Sequence, residues 1–252
     1  MQNIDVSVIV PVYNGEKFIK DCIDSVISQK DVSWECIIVD DNSSDNTADV
    51  ISPYLQDDRF KYVLNEINKG VAYSRNYGVK IAGGKYIAFL DADDYWTDDK
   101  LKKQFELMER KSAVISSTGR ELMDDKGNLS KVIIGIPEII TYNKLLKGNV
   151  INTSGTMVRR DVALKFPMTC DHLHEDYIMW LSILKEYDKA YGINEPLLKY
   201  RVVKGSKSAN KIESAKMTYG VYRYMGFGRI RSAYYFMFYA VKGIIKYRFL
   251  RK

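Results

Sequence analysis

Tyr86-Ile87-Ala88-Phe89-Leu90-Asp91-Ala92-Asp93-Asp94 decides how the chain is read. An unbroken apolar run passes directly into a cluster of carboxylates. Such a run marks a strand buried on both faces, the habit of parallel sheets covered by helices. The same rhythm repeats toward the N-terminus. Residues 6–10 form a short apolar run, and Phe18, Ile19, Cys22, Ile23, Val26 and Ile27 recur at helical spacing. Residues 34–39 form a second run that ends in Asp40-Asp41. The turn and cap cluster Asn42-Ser43-Ser44-Asp45 follows, then a helical pattern over 47–55. Residues 60–64 read as a strand, 70–82 as a helix, and 100–110 as a helix behind the acidic cluster. The rhythm predicts an α/β fold with a Rossmann-like, mostly parallel sheet flanked by helices.

Beyond residue 110 the pattern loosens. A strand is expected over 113–118, a hairpin tip at Asp124-Asp125-Lys126-Gly127-Asn128, and a strand over 152–158. A helix is expected over 174–187, with Ile178, Leu181 and Leu184 on one face. Ligands of open α/β sheets bind outside the carboxyl ends of the strands. Three polar clusters fall at such ends: Asn14, Asp40-Asp41, and Asp91-Ala92-Asp93. Two carboxylates on a tight turn are hard oxygen ligands for Mg2+ or Mn2+, and a diphosphate can complete the shell. The plainer alternative for Asp91 to Asp94 is a solvated strand end with local caps. A carboxylate at Asp40-Asp41 can accept from an imide N–H such as that of uracil; Ser44 or Asp45 alone would suffice as a helix cap. Glu175-Asp176 can be a base with a supporting acid, or an acid pair favoured by a helix N-terminus.

Five ordered segments together resemble the family 2 glycosyltransferases, which have the GT-A fold. They are Val8-Ile9-Val10-Pro11-Val12-Tyr13-Asn14; Val39-Asp40-Asp41-Asn42-Ser43-Ser44-Asp45-Asn46-Thr47; Asn68-Lys69-Gly70-Val71-Ala72-Tyr73-Ser74-Arg75-Asn76-Tyr77-Gly78; residues 82–94; and His174-Glu175-Asp176-Tyr177-Ile178-Met179-Trp180-Leu181. The match spans about residues 4–208. The resemblance implies a nucleotide-sugar site at Pro11, Val12, Tyr13, Asn14, Asp40, Asp41, Lys69, Gly70, Arg75, Asp91, Ala92 and Asp93, with Asp41 on the uracil ring. It implies Asp93 as the more direct metal ligand with Asp91 beside it, Asp176 as general base, and Glu175 as its support. One in-line displacement then inverts the anomeric centre. Tyr200-Arg201-Val202-Val203 is similar to a later family segment, in which many members carry a histidine near the place of Val203 that serves the metal. That departure leaves metal affinity and the choice of Mn2+ or Mg2+ open. His172 and His174 are expected as polar neighbours of the site.

The chain has 252 residues and a formal charge of +6, unevenly spread. Residues 201–252 hold 13 Lys/Arg against Glu213 alone, and residues 1–200 carry a balance of −6. The expected division is a catalytic domain over 1–208 and a basic, aromatic helical segment over 209–252. Residues 217–252 hold eleven Tyr or Phe with Lys and Arg interleaved, which suits a membrane interface or a helical pair packed on the body. No nucleic-acid module is visible, so nucleic acid is not expected as a partner. Ser206-Lys207-Ser208-Ala209-Asn210-Lys211, with Ala215-Lys216 and Tyr222-Arg223, resembles a subgroup that adds hexose to a polyprenyl-diphosphate-linked N-acetylhexosamine. The whole is similar to bacterial enzymes of O-antigen, capsule and exopolysaccharide synthesis, which implies a UDP-sugar donor, a lipid-linked saccharide acceptor, and a cytoplasmic place on the inner face of the membrane.

Other classes fit less well. No signal-peptide pattern precedes residues 6–10, and the apolar run over 233–241 is short of the roughly 20 residues that span a bilayer. Cys22, Cys36 and Cys170 lack paired spacing and are expected reduced, and two histidines exclude a multi-histidine metal site. A nucleotidyltransferase would need a Gly-rich, basic loop after the first strand, and a Rossmann dehydrogenase a Gly-x-Gly-x-x-Gly turn; Pro11-Val12-Tyr13-Asn14-Gly15 stands there instead. A non-catalytic scaffold would not need Asp91, Asp93 and Asp176 together.

Overall fold

The computed structural model describes residues 4–203 and 211–250, with the backbone alone at Lys211 and over 242–250. The Ser206-Lys207-Ser208-Ala209-Asn210 part of the subgroup segment lies outside the described residues.

The chain runs β1 (Val6–Val12), α1 (Ile19–Ile27), β2 (Trp34–Asp40), α2 (Thr47–Ile51), β3 (Phe60–Leu64), α3 (Val71–Ile81), β4 (Tyr86–Phe89), β5 (Tyr95–Trp96) and α4 (Lys100–Lys111). It continues with β6 (Ile115–Met123), β7 (Leu129–Ile134), β8 (Ile139–Thr141), α5 (Tyr142–Leu146), β9 (Thr156–Arg159), α6 (Arg160–Lys165), α7 (Glu175–Tyr187), β10 (Lys189–Arg201), α8 (Lys211–Tyr224) and α9 (Arg229–Leu250). The main path of the sheet is β3-β2-β1-β4-β9-β6-β10-β5. The half containing β3, β2, β1 and β4 is parallel throughout. Past β4 the pattern changes, because β9 runs antiparallel to both β4 and β6; β6 and β10 are again parallel.

The apolar runs are unbroken because each strand feeds two cores, one per face. Val6, Val8, Val10 and Val12 of β1 pack beneath α1 and α4 with Cys36 and Ile38 of β2. Ile9 points the other way, with Ile37, Val39, Ile87 and Phe89, toward α3 and α7. Alternation of side chains along a strand divides the two sets. The strand order reverses at β1, which has β2 on one side and β4 on the other. A crevice at such a reversal is the standard ligand position in α/β sheets, and here it lies between the ends of β1 and β4.

The structure refines several details of the sequence reading. The strand expected over 152–158 is divided: Thr153–Gly155 forms a single 3-10 turn and β9 begins only at Thr156. Small polar residues and a glycine favour that turn over extension. β6 continues to Met123, and Asp124 to Asn128 do form the tip of the β6–β7 hairpin, with Asp124 N–H donating to Asn128 O at 3.0 Å. α8 packs on the body, one of the two arrangements the sequence leaves open for the C-terminal helices. Val221 and Tyr222 of α8 and Tyr235 of α9 belong to the core on the α7 face, and Tyr222 Oη donates to Leu146 O at 2.9 Å. No helix among the described residues is long and apolar enough to cross a membrane.

Candidate active site

A cavity of about 440 Å3 opens at the β1/β4 reversal. Pro11, Tyr13, Asn14, Gly15 and Phe18 line it from the end of β1; Asp91, Ala92 and Asp93 from the end of β4; Val71 and Arg75 from α3; and Val203 from beyond β10. Of the residues expected to hold the nucleotide sugar, these include Pro11, Tyr13, Asn14, Arg75, Asp91, Ala92 and Asp93. The Val12 side chain instead points into the core under α1.

The rim loops are tied to one another before any ligand arrives. Asn14 adopts a left-handed backbone (φ 52°), which asparagine tolerates. Its N–H donates to Ser43 Oγ at 2.9 Å, and its Oδ1 accepts from Ser44 N at 2.8 Å. Asp40 and Asp41 are both buried and both engaged. Asp40 accepts from Ser43 N at 2.7 Å and Tyr62 Oη at 2.8 Å. Asp41 accepts from Asn65 Nδ2 at 2.7 Å, Lys69 N at 2.9 Å and Gly70 N at 2.8 Å. Those bonds hold the loop before α3 and occupy the Lys69 and Gly70 amides. The Lys69 ammonium stays at the surface, 4.6 Å above the Tyr73 ring.

Arg75 is the centre of the arrangement. It is buried on α3, and its guanidinium reaches Asp91 Oδ1 at 2.5 Å with one nitrogen and Glu175 Oε1 at 3.0 Å with the other. Burial opposes its charge, but Asp91 and Glu175 outweigh that penalty and hold its pKa above the ordinary value. A single side chain thus joins the acidic turn to the start of α7. Glu175 is buried against it. Asp176, the next residue, is only partly covered; its Oδ2 accepts from Thr153 Oγ1 at 3.0 Å. Burial, and then the charge of Glu175, push the Asp176 carboxyl above its usual range.

The acidic turn is crowded. The Asp93 carboxyl is pushed up to about 6, first by burial and then by the Asp91 charge. Burial with the charges of Asp93 and Asp91 also raises Asp94, whose Oδ1 accepts from Arg201 N at 2.9 Å. The Arg201 side chain braces the turn from β10: Nε donates to Asp93 O at 2.8 Å, Nη2 to Asp21 Oδ2 at 3.0 Å, and the guanidinium lies 4.6 Å from the Phe18 ring centre. Among the described residues, no three His, Cys, Asp or Glu side chains gather as a metal centre. Two oxygen-ligand carboxylates at a cavity wall fit a cation shared with a ligand's phosphates instead. Val203 lines that same cavity, whereas the His174 ring turns away, 3.2 Å from Ser214 O on α8.

Two positions escape sequence reasoning. Asp171 Oδ1 accepts from Ala72 N at 3.0 Å and so caps α3, across 99 residues of chain. Asn76 exchanges hydrogen bonds with the Met168 backbone, donating to Met168 O at 2.7 Å and accepting from Met168 N at 2.9 Å. Asn76 sits inside the segment from Asn68 to Gly78, but nothing in the sequence around Asp171 signals its reach.

Comparison with known proteins gives the family and the fold. Residues 7–165 match the family model for glycosyl transferase family 2. TuaG of Bacillus subtilis (strain 168), a glycosyltransferase assigned to teichuronic acid biosynthesis, is 42% identical over 219 residues, covering 86% of this chain and 87% of its own. WfgD of Escherichia coli, a UDP-Glc:alpha-D-GlcNAc-diphosphoundecaprenol beta-1,3-glucosyltransferase, is 36% identical over 250 residues, 99% of this chain and 97% of that one. The crystal structure of S. aureus TarS 1–349 in complex with UDP-GlcNAc shares the fold with TM-score 0.73 at 17% identity, over 92% of this chain and 69% of that chain.

Proposed function

The chain belongs to glycosyl transferase family 2, and on that premise we propose that it is an inverting enzyme that moves a hexose from a UDP-sugar to a saccharide carried on a polyprenyl diphosphate. The observation that carries this reading is the Arg75 bridge, which ties the Asp91–Asp93 turn at the cavity wall to Glu175, the neighbour of Asp176 at the start of α7. The activity for which WfgD is named, at 36% identity over nearly the whole chain, supports the donor and acceptor classes and a role in surface-polysaccharide synthesis. TuaG, named for teichuronic acid, supports the same role.

The chemistry follows from the side chains. The diphosphate of the donor meets the acidic turn, where Asp91 and Asp93 would hold Mn2+ or Mg2+. When bound, such a cation neutralises charge on the departing diphosphate. Arg75 fixes Asp91 on one side and Glu175 on the other, and Arg201 fixes the backbone at Asp93. Tyr13, 55% exposed beside Asn14, offers a ring face at the mouth. Asp41 retains one acceptor position for the uracil imide, with Asp40 supporting the loop. Lys69, at the surface and outside the cavity lining, is the cation assigned to the phosphates. Asp176 takes the proton of the attacking hydroxyl; its raised pKa makes it a better base than an ordinary carboxylate. Attack opposite the leaving diphosphate turns an α-linked donor into a β-glycoside.

The acceptor's lipid demands a membrane surface, and the C-terminal helices offer one. Ile230 is 90% exposed at the start of α9, between Arg229 and Arg231, with Tyr234 and Met237 also exposed. Apolar side chains ringed by cations suit an anionic leaflet, each cation adding about 1 kcal/mol. The resulting location is peripheral, on the cytoplasmic face of the cell membrane.

A calorimetric titration of UDP with and without Mn2+ tests the donor half of this reading. UDP binding that requires Mn2+ and is lost in Asp93→Ala is expected. Equal binding by wild type and variant in Mn2+ would remove the metal assignment.

A further inference from the structure

Thr153 is a polar side chain at a position where packing alone would accept a hydrophobe. It is 6% exposed, in the 3-10 turn Thr153–Gly155 that leads into β9. Its hydroxyl donates to Asp176 Oδ2 at 3.0 Å, across 23 residues of chain.

The turn that carries it is anchored at each residue. Asn152 O accepts from Gly155 N at 3.1 Å and from Thr156 Oγ1 at 2.6 Å. Ser154 is fully buried; its hydroxyl accepts from Asp91 N at 3.2 Å, and its carbonyl accepts from Trp96 Nε1 at 2.6 Å. Gly155 O accepts from Gln104 Nε2 at 3.1 Å. Thr153 thus presents its hydroxyl from a fixed backbone, and its neighbour is bonded to the first residue of the acidic turn. The dipeptide Thr153-Ser154 joins Asp176 to that turn directly. The Arg75 bridge takes another route, since it ends on Glu175.

Both oxygens of Asp176 are held. Oδ1 accepts from Tyr177 N at 2.7 Å, and Oδ2 accepts from Thr153. A carboxylate oxygen has two acceptor positions, so each oxygen keeps one for a substrate proton. A base held in this way loses rotational freedom without losing reach. The hydroxyl also acts on the charge, because a donor favours the ionised form. Burial and the Glu175 charge push the Asp176 carboxyl up; His174 from its own segment, Arg75 from α3 and the Thr153 hydroxyl oppose them.

We infer that Thr153 is a positioning residue for the transfer, its hydroxyl fixing the Asp176 carboxylate relative to the acidic turn. This deepens the reading of Asp176 as the base and rests on it.

The test follows transfer from UDP-glucose to N-acetylglucosamine on undecaprenyl diphosphate across pH, with UDP affinity and thermal midpoint measured alongside. Thr153→Val keeps the branched shape and removes the donor; Thr153→Ala removes the donor without the bulk. Loss of the donor raises the pKa of the base, and activity requires the ionised base. The acid limb of kcat is therefore expected to move up by about one pH unit in both variants, the effect of one hydrogen bond to a charged acceptor. Turnover on the plateau should fall roughly tenfold as the freed carboxylate loses alignment. Acceptor KM and UDP affinity should stay at wild-type values. Thr153→Ser, which keeps the hydroxyl, should restore the limb. An unmoved limb in both Thr153→Val and Thr153→Ala would overturn the assignment. So would a Thr153→Ser enzyme as impaired as Thr153→Val, which would give Thr153 a packing role alone. Asp176→Asn, measured beside them, separates this inference from the base reading. Lost turnover in Asp176→Asn with an unmoved limb in the Thr153 variants would remove Thr153 and keep the base. Turnover near wild type in Asp176→Asn would remove both. No transfer by the wild-type enzyme would overturn the donor and acceptor reading, and the positioning role with it.

Discussion

Glu175 and Asp176 are neighbours in sequence with different surroundings, which underlie the separate roles proposed for them. Glu175 is buried on Arg75, which places its charge in an ion pair. Breaking such a buried pair by removing one partner costs about 3–5 kcal/mol, because it strands the other charge. Asp176 keeps partial exposure, and burial with the Glu175 charge raises its pKa. The pH dependence follows with a definite sign. A general base must be ionised, so activity is present above its pKa and is lost as pH falls through it. That limb is expected above the ordinary carboxyl range in wild type. In Asp176→Asn it should vanish, with turnover down by about 10²–10⁴ and UDP affinity kept. Turnover near wild type in Asp176→Asn would locate the base elsewhere. The residue types were legible from the order of their segments. The Arg75 bridge was not, because its two partners come from the end of β4 and the start of α7, and neither alone demands an arginine.

α3 shows how an element can organise a site it only partly lines. Its first turn is held from two directions: Asp41 takes the amides of Lys69 and Gly70, and Asp171 takes that of Ala72. One turn later, Asn76 clasps the Met168 backbone, so the segment leading to Glu175 is fixed to the helix that carries Arg75. Gly70 is the tightest point. Its φ is 88°, and a Cβ there would sit 2.1 Å from Asp171 Oδ2. Gly70→Ala is therefore expected to cost more than the ~1 kcal/mol typical of alanine at positive φ, read as a lower thermal midpoint, and to weaken UDP binding. A variant with wild-type midpoint and UDP affinity would mean the Asp171 cap does not set this loop. α3 itself was readable from its apolar spacing. Its caps were not, since Asp171 lies 99 residues from Ala72. β10 escaped notice for a different reason. Gly192 and Pro196 interrupt its pattern, and its pairing with β6 shifts register between Ile193 and Leu198.

At the scale of the whole molecule, an acidic body meets a basic helical pair, and the two are packed together. Val221, Tyr222 and Tyr235 complete the α7-side core, so removing everything after residue 211 would expose that core along with any membrane contact. A point substitution separates the two. Ile230→Asp, at a 90% exposed position, is expected to weaken binding to anionic vesicles at low salt while leaving the thermal midpoint unchanged. Sedimentation equal to wild type would show that α9 does not meet the bilayer there. The parallel half of the sheet was legible because period-two burial on both faces leaves continuous apolar runs. The antiparallel insertion of β9 was not, because four residues behind a 3-10 turn carry too little pattern to fix a direction. The setting of α8 was left open between bilayer and body, since the tyrosines that suit a membrane interface also suit a core when their hydroxyls find carbonyls, as that of Tyr222 does.

The most direct test of the account is the stereochemistry of transfer. UDP-glucose, UDP-galactose and UDP-N-acetylglucosamine would each be offered with Mn2+ and N-acetylglucosamine on undecaprenyl diphosphate, and the product linkage read by NMR. The account predicts one productive α-linked donor and a β-glycosidic product. An α-linked product, or no transfer from any of the three, would contradict it.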